Sequence, residues 1–130
     1  MARIVKGGLI QAANPVAGNE PVKKIKQAMV EKHVKLIEQA AKKGVQVLCM
    51  QEIFYGPYFC CEQEIKWYAS TERVPDGPTT ELMQKLANKF EMVIIAPVYE
   101  EEATGTYYNT TAVIDMTDTA SRHLNQYIFW

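Results

Sequence analysis

The apolar positions of this chain follow two alternating rhythms. Short apolar runs occupy residues 3–11 (RIVKGGLIQ), 45–50 (VQVLCM), 92–98 (MVIIAPV) and 107–115 (YYNTTAVID). They are rich in β-branched residues, too short for helices and bounded by glycine or polar turns, which predicts four strands. A helical rhythm fills residues 20 or 21 to 43. There Val22, Ile25, Met29, Leu36 and Ala40 make one stripe, and Val30, Val34, Ile37 and Ala41 make the next. His33 falls at the edge of that stripe with no second ligand at i+4, so a partly buried structural role is expected. Gly44 is the expected helix stop. A second helix is predicted through TTELMQKLANKF, with Leu82, Met83, Leu86, Ala87 and Phe90 on one face. Asp76 is expected to cap it, and Pro78 suits its first turn. Between the loop of residues 51–60 and this helix, CEQEIKWYASTE is expected to hold a short helix contacting through Ile65, Trp67 and Tyr68. Strand, helix and parallel strand in succession predict an α/β fold, and Gly7–Gly8 lets another element approach the first strand.

The run at 45–50 leads directly into Gln51–Glu52 and then into a loop of aromatics, Phe54, Tyr55 and Tyr58, around Gly56–Pro57. A carboxylate at the carboxyl end of a buried strand lies where open α/β sheets place their ligands. With Met50 and Ile53 beside it and the aromatic loop beyond, Glu52 is expected to be desolvated. Desolvation raises a carboxylate's proton affinity and suits it to general acid–base work. The plainer alternative makes Glu52 a cap for the next turn or the partner of a surface lysine.

Composition narrows the classes. The chain has 130 residues, 48% hydrophobic and 22% charged, with a net charge of −1. That describes a globular chain rather than a disordered one. It carries no field that would draw nucleic acid or an anionic membrane. Lys23, Lys24 and Lys26, like Lys42 and Lys43, alternate with Glu20, Glu31 and Glu38 and are expected on a solvated helix face. No signal peptide or membrane-length segment is visible. Three cysteines, one of them (Cys49) in a predicted strand, suit a reducing cytoplasmic setting. The vicinal Cys60–Cys61 pair has no C-x-x-C or histidine spacing around it, so no metal is expected.

QEIFYGPYFC at 51–60 resembles the first signature of the nitrilase (carbon–nitrogen hydrolase) superfamily. The residues around it are most similar to the β-ureidopropionase / N-carbamoyl-amino-acid amidohydrolase branch. DGPTT at 76–80 and YYNTTAVID at 107–115 extend the resemblance, and Glu100 matches a Glu that often follows the third strand. Glu101 and Glu102 are expected in a solvated turn, and Asn109 is expected to satisfy backbone groups near the site.

The resemblance implies the N-terminal half of an αββα sandwich, with about four strands and two main helices. It makes Glu52 the base of a Glu–Lys–Cys triad, with Phe54, Tyr55 and Tyr58 shaping the substrate entrance and no metal or organic cofactor. The implied substrate is N-carbamoyl-β-alanine or a similar N-carbamoyl compound, split to amine, carbon dioxide and ammonia. N-carbamoylputrescine amidase is the enzymatic rival, since it shares a Q-E-x-F-x-G-x-Y-F-C string. The partners implied are the small-molecule substrate and, as a homo-oligomer, further copies of the chain.

The resemblance is traced from Arg3 to about Asp118. Residues 1–118 are therefore expected to be a partial hydrolase domain and 119–130 (TASRHLNQYIFW) a divergent tail. Arg122 and His123 do not reproduce the family's lysine segment, and none of the three cysteines fits the position of its nucleophile. The tail is expected either to patch the sheet edge as an extra strand or, the favoured reading, to be an out-of-frame sequence. A thiolate nucleophile, a carboxylate base and a cation for the oxyanion are all needed, so little turnover is expected from these residues alone. The rival of a different class is a non-catalytic half-domain that associates with full-length subunits or with itself.

Overall fold

In a computed structural model, residues 3–116 are described together with residues 120–125 as strand backbone. Strand β1 (Gly7–Ile10) is followed by helix α1 (Val22–Lys42) and strand β2 (Val47–Met50). Two 3-10 turns, Phe59–Cys61 and Ile65–Ser70, lead to helix α2 (Pro78–Phe90). Strands β3 (Val93–Ala103), β4 (Thr106–Ile114) and β5 (Ala120–Asn125) complete the described chain. The strands form one sheet in the order β1-β2-β3-β4-β5. The first three are parallel, and β4 and β5 are antiparallel to their neighbours. The α/β class is as predicted, with five strands where four were expected. The fifth lies in the C-terminal segment, whose backbone pairs with β4 from Asn109 to Ile114.

Burial alternates along the strands. Leu48, Met50, Ile94, Ala96, Val98, Ala112 and Ile114 face the helices and are buried. The register places Leu9 beside Cys49, Cys49 beside Ile95 and Ile95 beside Val113 on the opposite face. There Leu9 is 86% exposed, and Cys49, Ile95 and Val113 are half-buried. This apolar face of the sheet is partly open.

Helix α1 docks through Ile25, Met29, His33 and Ile37, a strict i, i+4 row running between the two stripes read from the sequence. His33 is therefore at the centre of the buried row, not at its edge. Its Nδ1–H donates to the Met29 carbonyl (2.9 Å), and its ring meets Phe54 edge-on at 4.9 Å.

Lys26 also departs from expectation. It leaves the solvated lysine face to pair with buried Glu72 at 2.5 Å, donates to the Ser70 carbonyl at 2.7 Å and lies 4.2 Å over the Tyr55 ring. Burial lowers its pKa, and Glu72 opposes that shift.

Asp76 does not cap α2; it is exposed. The cap comes from Glu72, whose carboxylate accepts from the Thr79 N–H (2.8 Å) and the Thr79 hydroxyl (2.6 Å). Gly77 makes this approach possible. A Cβ there would stand 2.3 Å from the Arg73 carbonyl oxygen and 2.9 Å from a Glu72 carboxylate oxygen.

Strand β3 is longer than the apolar run that predicted it, because it changes neighbour halfway. Its first half pairs with β2, from Val47↔Val93 to Cys49↔Ile95. Beyond the end of β2, Glu72 takes over: its N–H donates to the Tyr99 carbonyl and its own carbonyl accepts from the Glu101 N–H, both at 3.0 Å. On the other side β4 pairs with this stretch as far as Ala103↔Thr106, so the acidic cluster lies in the strand and the turn falls at Thr104–Gly105. Glu100 is buried and accepts from the Thr110 hydroxyl (2.5 Å), while Glu101 is half-buried.

Candidate active site

The site is built where β2 ends. Gln51 locks that end to the loop after β1, accepting from the Ala12 N–H (2.5 Å) and donating to the Ala12 carbonyl (3.0 Å). The chain then turns sharply through Ile53, whose φ is +44°. A β-branched residue rarely adopts that region, so the turn holds local strain. Burial of Ile53, 1% exposed, holds the turn in place. With Ile53 sunk into the core, Glu52 is turned outward, and its carboxylate accepts from Asn109 Nδ2 on β4 at 2.5 Å.

Desolvation of Glu52 is therefore not what the structure shows. Its apolar neighbours Met50 and Ile53 are buried, but Glu52 itself is exposed. The turn points it away from the surface those two residues cover. Asn109, read as a backbone satisfier, instead orients the carboxylate from across the sheet. Sequence spacing carried no hint of this contact, since the two residues are 57 apart.

Phe54 and Tyr55 do not line an entrance. Both are buried, at 0% and 1% exposure. Phe54 packs between His33 and Tyr55. The Tyr55 hydroxyl donates to the Tyr99 carbonyl (3.1 Å) and accepts from the Tyr99 N–H (2.6 Å), serving the part of β3 that β2 no longer reaches. Burial pushes its phenol pKa well up. Of the three aromatics, Tyr58 is the one at the surface, 56% exposed. Its hydroxyl and the Cys60 thiol hydrogen-bond one another, and the Glu52 charge acts on both.

Cys60 thus stands near Glu52, yet its thiol pKa is pushed up, first by burial and further by the Glu52 charge. A nucleophilic cysteine requires the opposite shift. Cys49 lies within β2, and Cys61 is exposed with its thiol directed to the Tyr58 carbonyl. No group of three or more His, Cys, Asp or Glu side chains among the described residues could hold a metal ion. No helix among them is long and apolar enough to cross a membrane.

The carbon–nitrogen hydrolase family profile matches residues 9–127, running beyond Asp118 through β5. The chain belongs to the carbon–nitrogen hydrolase family. It is 34% identical to β-ureidopropionase of Arabidopsis thaliana over 113 residues, covering 86% of this chain and 28% of that protein. It is 38% identical to N-carbamoylputrescine amidase of Oryza sativa subsp. japonica over 81 residues, 62% of this chain and 27% of that one. The fold superposes on a carbon–nitrogen hydrolase from Helicobacter pylori G27 with a TM-score of 0.80 at 24% identity. That match covers 95% of this chain and 40% of the other. The chain spans little more than a quarter of the length of these two sequence relatives.

Proposed function

We propose that this chain supplies the general base of a hydrolase acting on an N-carbamoyl amine or amino acid. N-carbamoyl-β-alanine and N-carbamoylputrescine are the two kinds its relatives point to. The observation that carries the reading is the Glu52 carboxylate, held by Asn109 at the carboxyl end of β2 and open to a reactant.

In that reaction a thiol attacks the ureido carbon as Glu52 takes its proton. Glu52 then returns the proton to departing ammonia as the carbon–nitrogen bond breaks. Water releases the remaining carbamoyl group from sulfur as a carbamate, which falls to the amine and carbon dioxide. A cation must hold the oxyanion meanwhile. The raised thiol of Cys60 does not supply the nucleophile, so the thiol and the cation are to come from the part of the family domain that these 130 residues do not match. The three free cysteines suit a reducing, cytoplasmic setting.

The test mixes this chain with a polypeptide carrying the rest of a β-ureidopropionase and follows ammonia release from both substrates. Release is expected from the mixture, not from either piece. Glu52→Gln should abolish it, and Asn109→Ala should lower it about tenfold, the value of one hydrogen bond to a charged group. Ammonia release that survives Glu52→Gln would overturn the reading.

A further inference from the structure

A concavity lies among the residues that follow the Glu52 loop. It encloses about 190 Å³, room for roughly six waters at about 30 Å³ each. Phe59, Trp67, Tyr68 and Tyr99 form its walls, and Glu62 and Glu64 stand at its rim. Phe59 stacks on Trp67 at 5.4 Å and meets Tyr99 at 5.0 Å, and Tyr68 continues the wall 6.4 Å from Tyr99. Cys60 belongs both to this lining and to the surroundings of Glu52, whose charge raises the Cys60 thiol pKa after burial has done so.

Two carboxylates and one ammonium at its rim leave a net negative charge. Glu62 is fixed by the Trp67 indole N–H at 3.0 Å and Glu64 by Lys66 at 2.6 Å. Glu62 and Glu64 are the carboxylates on its lining. The cation paired with them is Lys66, which bridges Glu62 and Glu64. That lysine already shows which chemistry the wall accepts, because its ammonium lies 4.9 Å over the Trp67 ring. Aromatic faces attract ammonium groups through the negative face of the ring quadrupole, and the carboxylates repel a second anion.

We propose that this cavity binds a primary alkylammonium group on a chain of a few carbons. Resting on the hydrolase reading, the proposal makes it the subsite for the substrate's amine tail and favours N-carbamoyl diamines over N-carbamoyl amino acids.

Trp67 is the reporter. The chain has two tryptophans, so a Trp130→Phe background isolates the cavity's indole. Titration with n-butylammonium is expected to change Trp67 emission saturably, while butyrate of the same size leaves it unchanged. Tyr68→Ala should weaken the ammonium about fivefold, the effect of losing one cation–aromatic contact. Glu64→Gln, at an exposed position that carries no packing, should weaken it in the same direction and guards against misfolding of the first variant. Equal or tighter binding of butyrate, or no saturable response to the ammonium, overturns the proposal. Because the titration reads no hydrolysis, its failure leaves the hydrolase reading standing, and loss of ammonia release in the mixing assay leaves the cavity's ligand standing.

Discussion

At the scale of single residues, one turn does most of the positioning. Ile53 accepts a left-handed backbone because its side chain gains about 2 kcal/mol from full burial, which offsets a strain of the same order. That trade turns Glu52 outward toward Asn109. The string Gln51–Glu52 at the end of a strand was legible in the sequence, since it needs only a buried run followed by a carboxylate. The direction of the side chain was not, because it depends on which neighbour wins the core.

His33 illustrates the same limit. Its Nδ1–H donates to Met29, leaving Nε2 with a lone pair and no partner among the described residues. Protonating Nε2 would bury a charge, so burial holds the pKa below the usual 6.5. The unfolded chain then binds the proton first as pH falls. The stabilisation is complete above pH 6.5 and is lost as pH falls through the folded value. Melting temperatures of wild type and His33→Leu, compared between about pH 7.5 and pH 5, are expected to converge toward acid as the wild type loses more. Parallel curves would exclude His33 as the group responsible.

Among elements, the start of α2 depends on a residue outside the helix and its flanking turn. Asp76 has a good capping residue type at a good distance, yet the cap is Glu72, which also closes the β3 ladder and neutralises Lys26. Two duties on one buried carboxylate, with the ladder contact left to its backbone, predict an asymmetry. Glu72→Gln is expected to lower unfolding free energy by about 3 kcal/mol, since it leaves the Lys26 charge without a partner. Asp76→Ala should change it by less than about 0.5 kcal/mol, as for an exposed side chain with no such role. Urea unfolding distinguishes them, and the reverse order would restore Asp76 as the cap. Gly77→Ala should also destabilise, by about 1–3 kcal/mol, because the added methyl meets the Arg73 carbonyl.

For the whole molecule, the sheet buries one face under α1 and α2 and leaves the other, with Leu9 at its edge, partly open. Apolar surface of this kind marks an interaction face. Sedimentation velocity at tens of micromolar is expected to show species above the monomer, and Leu9→Lys with Val47→Lys should shift them toward it. A wild-type chain that sediments as a monomer throughout would show that this face takes no second copy.

The sequence by itself determined what is local or periodic: the α/β succession, two amphipathic helices, the strand that ends in Glu52, and the family string around it. These follow from the rhythm of apolar residues and from neighbours along the chain, so no distant contact is needed to read them. Tertiary structure decided everything that rests on residues far apart in sequence. It sank Phe54 and Tyr55 into the core, brought Asn109 to Glu52, drew Lys26 to Glu72 and lengthened β3 by giving it a second partner. It also added β5 to the sheet. Each of these is settled by competition for burial and for hydrogen bonds across the fold, and that competition has no fixed spacing along the chain.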